Sequence, residues 1–118
     1  VPETGDLRAD LGAWLAERAR TILAPGGRSV ARALATASAA GPDQRELFDE
    51  VLTRPAGAVV VARLERASAD GEEVPAVPPE VTADLITGYL TLATLGAAPL
   101  DEVRLRQVLD AVLPPAAE

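Results

Sequence analysis

The sequence predicts an all-α chain folded as a five-helix bundle, and three observations carry that expectation. Alanine, leucine and valine recur at helical spacing through the 118 residues, of which 48% are hydrophobic and only 3% aromatic. Breakers separate the periodic stretches at helix-length intervals: Pro25-Gly26-Gly27, Gly41-Pro42, the proline-rich run from Val74 to Pro79, and Pro114-Pro115. The one run that could be mistaken for a strand, Val59-Val60-Val61, continues into helical spacing at Val60, Leu64 and Ala67. A chain of this length is expected to form one domain, residues 1–118.

The first helix is expected over Leu7 to Leu23, with Asp6 as its N-cap and Leu7, Leu11, Leu15, Ala19 and Ile22 on one face. Trp14 sits at the edge of that face, where core or rim packing is the simpler role. Arg18 falls near its middle. The favoured reading is a packed stem whose head snorkels or pairs with a carboxylate on another helix. The sharper reading is a guanidinium in an internal cavity, poised for an anionic or carbonyl-bearing ligand.

A second helix follows, from Arg28 to Ala40, whose core side of Val30, Leu34 and Ala37 is thin. Arg28 and Arg32, four residues apart, make a small basic patch. The third helical segment runs from Asp43 to Asp70 and is expected to bend or break at Pro55, whose ring collides with the preceding turn. Its first half should bury Leu47, Phe48, Val51 and Leu52, and Gly71 should cap its end. Glu72 to Pro79 reads as an extended crossover.

The fourth helix opens with Pro79 and Glu80 and ends at Gly96. It is the least polar, with no charge in the sixteen residues from Leu85 to Leu100. Val81, Leu85, Gly88, Tyr89 and Leu92 form one stripe, which Ala83, Ile86, Leu90 and Ala93 widen past half the circumference; Asp84, Thr87, Thr91 and Thr94 are expected to face away. So wide an apolar surface exceeds what a short bundle can cover, which points to a subunit interface. The fifth helix starts at Asp101-Glu102, carries Leu105, Val108, Leu109 and Val112 on one stripe, and stops at Pro114-Pro115.

Composition closes off several functions. With no cysteine and no histidine, the usual zinc, haem and thiol sites and any Ser-His-Asp or Cys-His catalytic arrangement are excluded within these residues, and no metal or cofactor is expected. A net charge of −7 argues against phosphate neutralisation by this region. The uncharged run is too short and too rich in threonine to span a bilayer, and the N-terminus lacks a signal peptide's pattern, so a cytoplasmic location is expected. The absence of methionine at position 1 suggests a fragment or processed chain. Adjacent carboxylates such as Asp49-Glu50 and Asp101-Glu102 point to different sides of a helix, so catalysis has no positive support. A binding role fits better: Trp14, Phe48, Leu52 and Tyr89 lie on separate helices amid small residues, an arrangement that either builds a pocket or fills the core.

The concatenation TGDLRADLGAWL, APGGRSVARAL, GPDQRELFDEVLTRPAGAVVVARLERASADGE, PPEVTADLITG and GAAPLDEVRLRQVLDAVL resembles the C-terminal regulatory domain of TetR/AcrR-type bacterial transcriptional regulators. It departs from many relatives at Ala56-Gly57, at Leu90-Thr91-Leu92 and at Pro78, and the family's N-terminal helix-turn-helix domain is absent from these residues. The resemblance implies a homodimer joined through the last two helices, with Leu85, Gly88, Leu92, Leu105, Val108 and Val112 at or beside the interface. It also implies a small-molecule effector in a cavity, for which Trp14, Arg18, Phe48, Leu52 and Tyr89 are the candidates, and DNA contact only through the missing domain. The alternative function is a helical scaffold or protein-interaction module without a ligand.

Overall fold

The structure, a computed structural model, describes residues 1–115 apart from the side chains at positions 28, 30, 31, 34, 37, 38, 48, 51 and 52. The expectations that rest on the side chains of Arg28, Val30, Leu34, Ala37, Phe48, Val51 and Leu52 therefore lie outside the described residues. Among the described residues every regular element is helical: α1 (Leu7–Leu23), α2 (Gly27–Ala39), α3 (Pro42–Phe48), a π turn (Asp49–Thr53), α4 (Arg54–Ala69), α5 (Pro79–Thr94) and α6 (Glu102–Val112). With α3, the π turn and α4 taken as one bent segment, this is the five-helix order expected.

Local chemistry sets the ends. Asp6 is extended and its carboxylate accepts the Ala9 N–H at 3.1 Å, while Asp101 does the same for Arg104 at 2.8 Å. The helix at Pro55 bends without stopping. Proline cannot donate to the carbonyl four residues back and its ring crowds that turn, so the chain immediately upstream winds wider, as a π turn, and Pro55 falls in the first turn of α4, where no N–H is needed. Gly71 (φ +81°) and Gly96 (φ +79°) end α4 and α5 in the left-handed region. Each carries the paired closing bonds of a Schellman cap: Glu72 N–H to Ala67 O at 2.9 Å with Gly71 N–H to Ser68 O at 3.2 Å, and Ala97 N–H to Leu92 O at 2.9 Å with Gly96 N–H to Ala93 O at 3.1 Å.

The core forms where α1, α4, α5 and α6 converge. Leu11 and Leu15 of α1, Val60 of α4 and Ile86 of α5 are fully buried, ringed by Leu64, Ala67, Ala83, Ala93, Leu105 and Leu109. α6 packs on α1 beside Gly12, where an added methyl would sit in ordinary van der Waals contact, 3.5 Å from Leu109 Cδ1. Arg8 of α1 fastens the same pair of helices from outside, bonding Asp110 and the Pro114 carbonyl.

Two expectations about facing need correction. Leu47 is exposed, because α3 packs on α2 and the π turn at a distance from the main core. More consequentially, two of the α5 residues expected to face away, Thr87 and Thr94, are buried, while Asp84 is exposed, Ala83, Ile86, Tyr89, Leu90 and Ala93 are buried, and Val81, Leu85 and Leu92 are open. A threonine reads as polar on a wheel, yet each of these hydroxyls donates to the carbonyl four residues back, Thr87 to Ala83 at 2.9 Å, Thr91 to Thr87 at 2.9 Å and Thr94 to Leu90 at 2.8 Å. With the polar group satisfied inside the helix, the methyl is left to pack. Among the described residues no helix is long and apolar enough to cross a membrane.

Candidate functional site

A cavity of about 300 Å³ lies between α1, α2, the π turn, the start of α4 and α5. Its walls are Trp14, Arg18, Thr21 and Ile22 of α1, Ala35 of α2, Thr53 of the π turn, Pro55, Ala56 and Val59 of α4, and Thr87, Leu90, Thr91, Thr94 and Leu95 of α5. The space arises because the elements meet through short side chains there, and the widened turn before Pro55 places Thr53, Pro55 and Ala56 on one wall. This volume lies at the small end of the range that accommodates small molecules.

Polar groups are few and unevenly placed. Thr21, Thr87, Thr91 and Thr94 have committed their hydroxyl protons to the Glu17, Ala83, Thr87 and Leu90 carbonyls, so toward the cavity they can offer only lone pairs. Arg18 is exposed at the rim, and among the described residues no carboxylate or carbonyl holds its guanidinium. Trp14 is nine-tenths buried, and its indole N–H likewise meets no acceptor among the described residues. Among the described lining residues Arg18 alone is charged.

Of the expected cavity residues, Trp14 and Arg18 line it together, one helical turn apart, while the side chains of Phe48 and Leu52 lie outside the described residues. Tyr89 is not on the wall. It faces the α5–α6 connection, where its hydroxyl donates to Pro99 O at 2.6 Å and burial raises its pKa. The remaining lining residues escaped sequence reading because threonine and alanine carry no distinctive wheel signal.

On the side of α5 away from the cavity, Leu85 (54% exposed) and Leu92 (51%) share an open stripe with Val81 and Gly88. Spacings of four, three and four residues give this stripe the period of a helix-pairing seam. A methyl added at Gly88 would have nothing within 4 Å, so the stripe has open space at its centre. Of the interface candidates on α6, Leu105 is instead buried against the chain's own core, and Val108 and Val112 are half-buried beside it.

Sequence reading missed a buried ionic cluster that anchors α1 to α4. Asp10 and Arg63 are each 2% exposed by side chain and bond through Arg63 Nη2 at 2.7 Å and Nε at 3.2 Å. The Thr4 N–H and hydroxyl donate to the same carboxylate at 2.8 and 2.6 Å. Burial alone would push the Asp10 carboxyl up, but the bonds from Thr4 and Arg63 prevail and hold it below its ordinary value. Arg63 also reaches Pro2 O at 3.1 Å and Glu72 at 3.3 Å, and Glu72 in turn accepts the Leu7 N–H at 2.9 Å. The Schellman turn at Gly71 delivers Glu72 to that spot. A signal did exist: Asp10 lies between Leu7 and Trp14 on α1, and Arg63 between Val60 and Ala67 on α4, opposite charges on two apolar faces.

Neither the curated proteins nor the solved structures compared with the chain gave a match. Residues 1–112 match the family model described as "Tetracyclin repressor-like, C-terminal domain", nearly the whole length of the chain. Together with the all-helical bundle, that match makes the chain a member of the tetracyclin repressor-like C-terminal domain family.

Proposed function

We propose that this chain, as one domain, is the effector-sensing and homodimerisation part of a TetR-family transcriptional regulator, in the repressor mode. A small, partly apolar molecule enters the cavity beside Trp14 and Arg18, and its occupancy biases the separation of DNA-reading helix-turn-helix domains carried by the two subunits of the full regulator. In this reading the domain is a binding device and not an enzyme, works in the cytoplasm, and touches DNA only through that other domain.

The observation that carries the proposal is the two-sidedness of α5. Thr87, Leu90, Thr91 and Thr94 face the cavity, while Leu85, Gly88 and Leu92 form an open apolar seam on the same helix. A ligand that displaces α5 by a fraction of its width must therefore displace whatever packs on the seam. The dimer partner is a second copy of this seam, joined by the outer side of α6.

Analytical ultracentrifugation tests the assembly. The wild-type chain should sediment as a species of twice its 12.2 kDa mass with concentration-dependent dissociation, and Leu85→Glu with Leu92→Glu should yield a folded monomer. Both positions are about half exposed, so the charges are tolerated in the monomer. A wild-type chain that stays monomeric at every concentration would remove the dimer from the account.

A further inference from the structure

We infer that the cavity takes an apolar molecule bearing a single carboxylate, whose head group is held at the α1 end by the Arg18 guanidinium and the Trp14 indole N–H. This rests on the effector-cavity reading above and goes further, to the chemical class of the effector.

Donors and acceptors around the cavity are segregated. On the α5 wall, Thr87, Thr91 and Thr94 have each given their proton to a backbone carbonyl, so that wall presents oxygen lone pairs and methyl groups. An anion placed there would meet only acceptors. On the α1 wall, Trp14 and Arg18 lie four residues apart, which puts their side chains on the same face in adjacent turns. Both have N–H groups without an acceptor among the described residues, and the indole N–H belongs to a residue that is nine-tenths buried.

Charge selects the head group further. Arg18 is the only charged residue among the described lining, and no carboxylate lies in that lining to welcome a cation. One guanidinium balances one negative charge, and its planar fork suits two carboxylate oxygens; a phosphate dianion would be left undercompensated. The remainder of the described lining, including Ile22, Val59, Leu90 and Leu95, is apolar apart from threonine hydroxyls and carries no second charge. The body of the ligand is thus hydrocarbon or aromatic, small enough for about 300 Å³, with tolerance for a hydroxyl or amide N–H directed at the threonine oxygens.

Isothermal titration of the full chain with decanoate, decanamide and decylamine tests this, all well below micelle-forming concentrations. Trp14, the sole tryptophan, supplies an independent fluorescence signal from within the cavity wall. Decanoate should bind about tenfold more tightly than decanamide, the gain expected for a charged hydrogen bond at a partly exposed arginine, and decylamine more weakly still. Arg18→Gln, at an exposed position that leaves the fold intact, should abolish the preference, bringing decanoate to within about twofold of decanamide. Equal binding of decanoate and decanamide, or a preference that survives Arg18→Gln, overturns the head-group assignment yet leaves the cavity as an effector site. No heat and no Trp14 response from any of the three overturns both readings together.

Discussion

Replacing Asp10 by Asn removes one charge from the most buried ionic contact in the chain, and the structure indicates how large the effect should be. The Asp10 carboxylate accepts four hydrogen bonds, three at Oδ2 from the Thr4 N–H and from Arg63 Nε and Nη2, and one at Oδ1 from the Thr4 hydroxyl. An asparagine that keeps its oxygen at the Oδ2 position retains three of those bonds and can turn its NH₂ toward the Thr4 hydroxyl, so what the change removes is the negative charge facing Arg63. Breaking a buried pair from one side costs roughly 3–5 kcal/mol. Glu72, 3.3 Å from Arg63 and only partly buried, remains as a counter-charge, so the lower end applies, about 3 kcal/mol or roughly 10 °C in Tm.

Urea denaturation followed by circular dichroism at neutral pH measures the loss. The double variant Asp10→Leu with Arg63→Met should cost clearly less than the sum of its two single changes, because neither charge is left alone in the core. Acid supplies a second arm. The folded-state pKa of Asp10 lies below its ordinary 3.8, so its contribution is complete above that value and is lost as the pH falls through the folded-state pKa. The gap between wild type and Asp10→Asn should therefore narrow in strong acid. A neutral-pH cost within about 0.5 kcal/mol, the size of an ordinary surface change, or strict additivity in the double variant, would refute the idea that this cluster locks α1 to α4.

Two further changes probe how the turns and connections are held. Gly71→Ala forces a side chain into the left-handed region at φ +81° and should cost about 1–2 kcal/mol in a urea melt; it should also weaken the cluster at Asp10, since Glu72 is the next residue. Tyr89→Phe removes the hydroxyl that donates to Pro99 O, and a loss of about 1 kcal/mol is expected, without any change in decanoate affinity, because Tyr89 stands off the cavity wall.

Much of the architecture was legible in the sequence because it rests on local rules. The Asp6 cap, the Gly71 and Gly96 stops and the bend before Pro55 each follow from one residue's chemistry, and Leu7, Leu11, Leu15 and Ala19 of α1 and Val60, Leu64 and Ala67 of α4 are buried where their spacing puts them. The burial of Thr87 and Thr94 on α5 was not legible, since nearly the whole circumference of that helix is apolar and its threonines hide their hydroxyls within the helix. Hydrophobic patterning orients a helix only when one side differs from the other. The Asp10–Arg63 contact depends on two residues 53 positions apart, and each alone resembles a stray charge. Trp14 and Arg18 were visible as candidates because both stand out on an otherwise aliphatic face; the threonine wall opposite them was not.

The central claim is that α5 carries the cavity on one side and a second copy of the chain on the other. Because the chain has no cysteine, single cysteines placed at Leu85, Gly88 or Leu92 report the pairing of that seam without background. At a two-fold helix pair some of these positions come within the Cα separation of about 4.4–6.8 Å that a disulfide requires. Mild oxidation should then give a covalent dimer quickly from at least one seam variant, and not from a control cysteine at the exposed Glu17 on α1. Failure of all three seam positions to cross-link, or cross-linking no faster than at Glu17, would contradict the account.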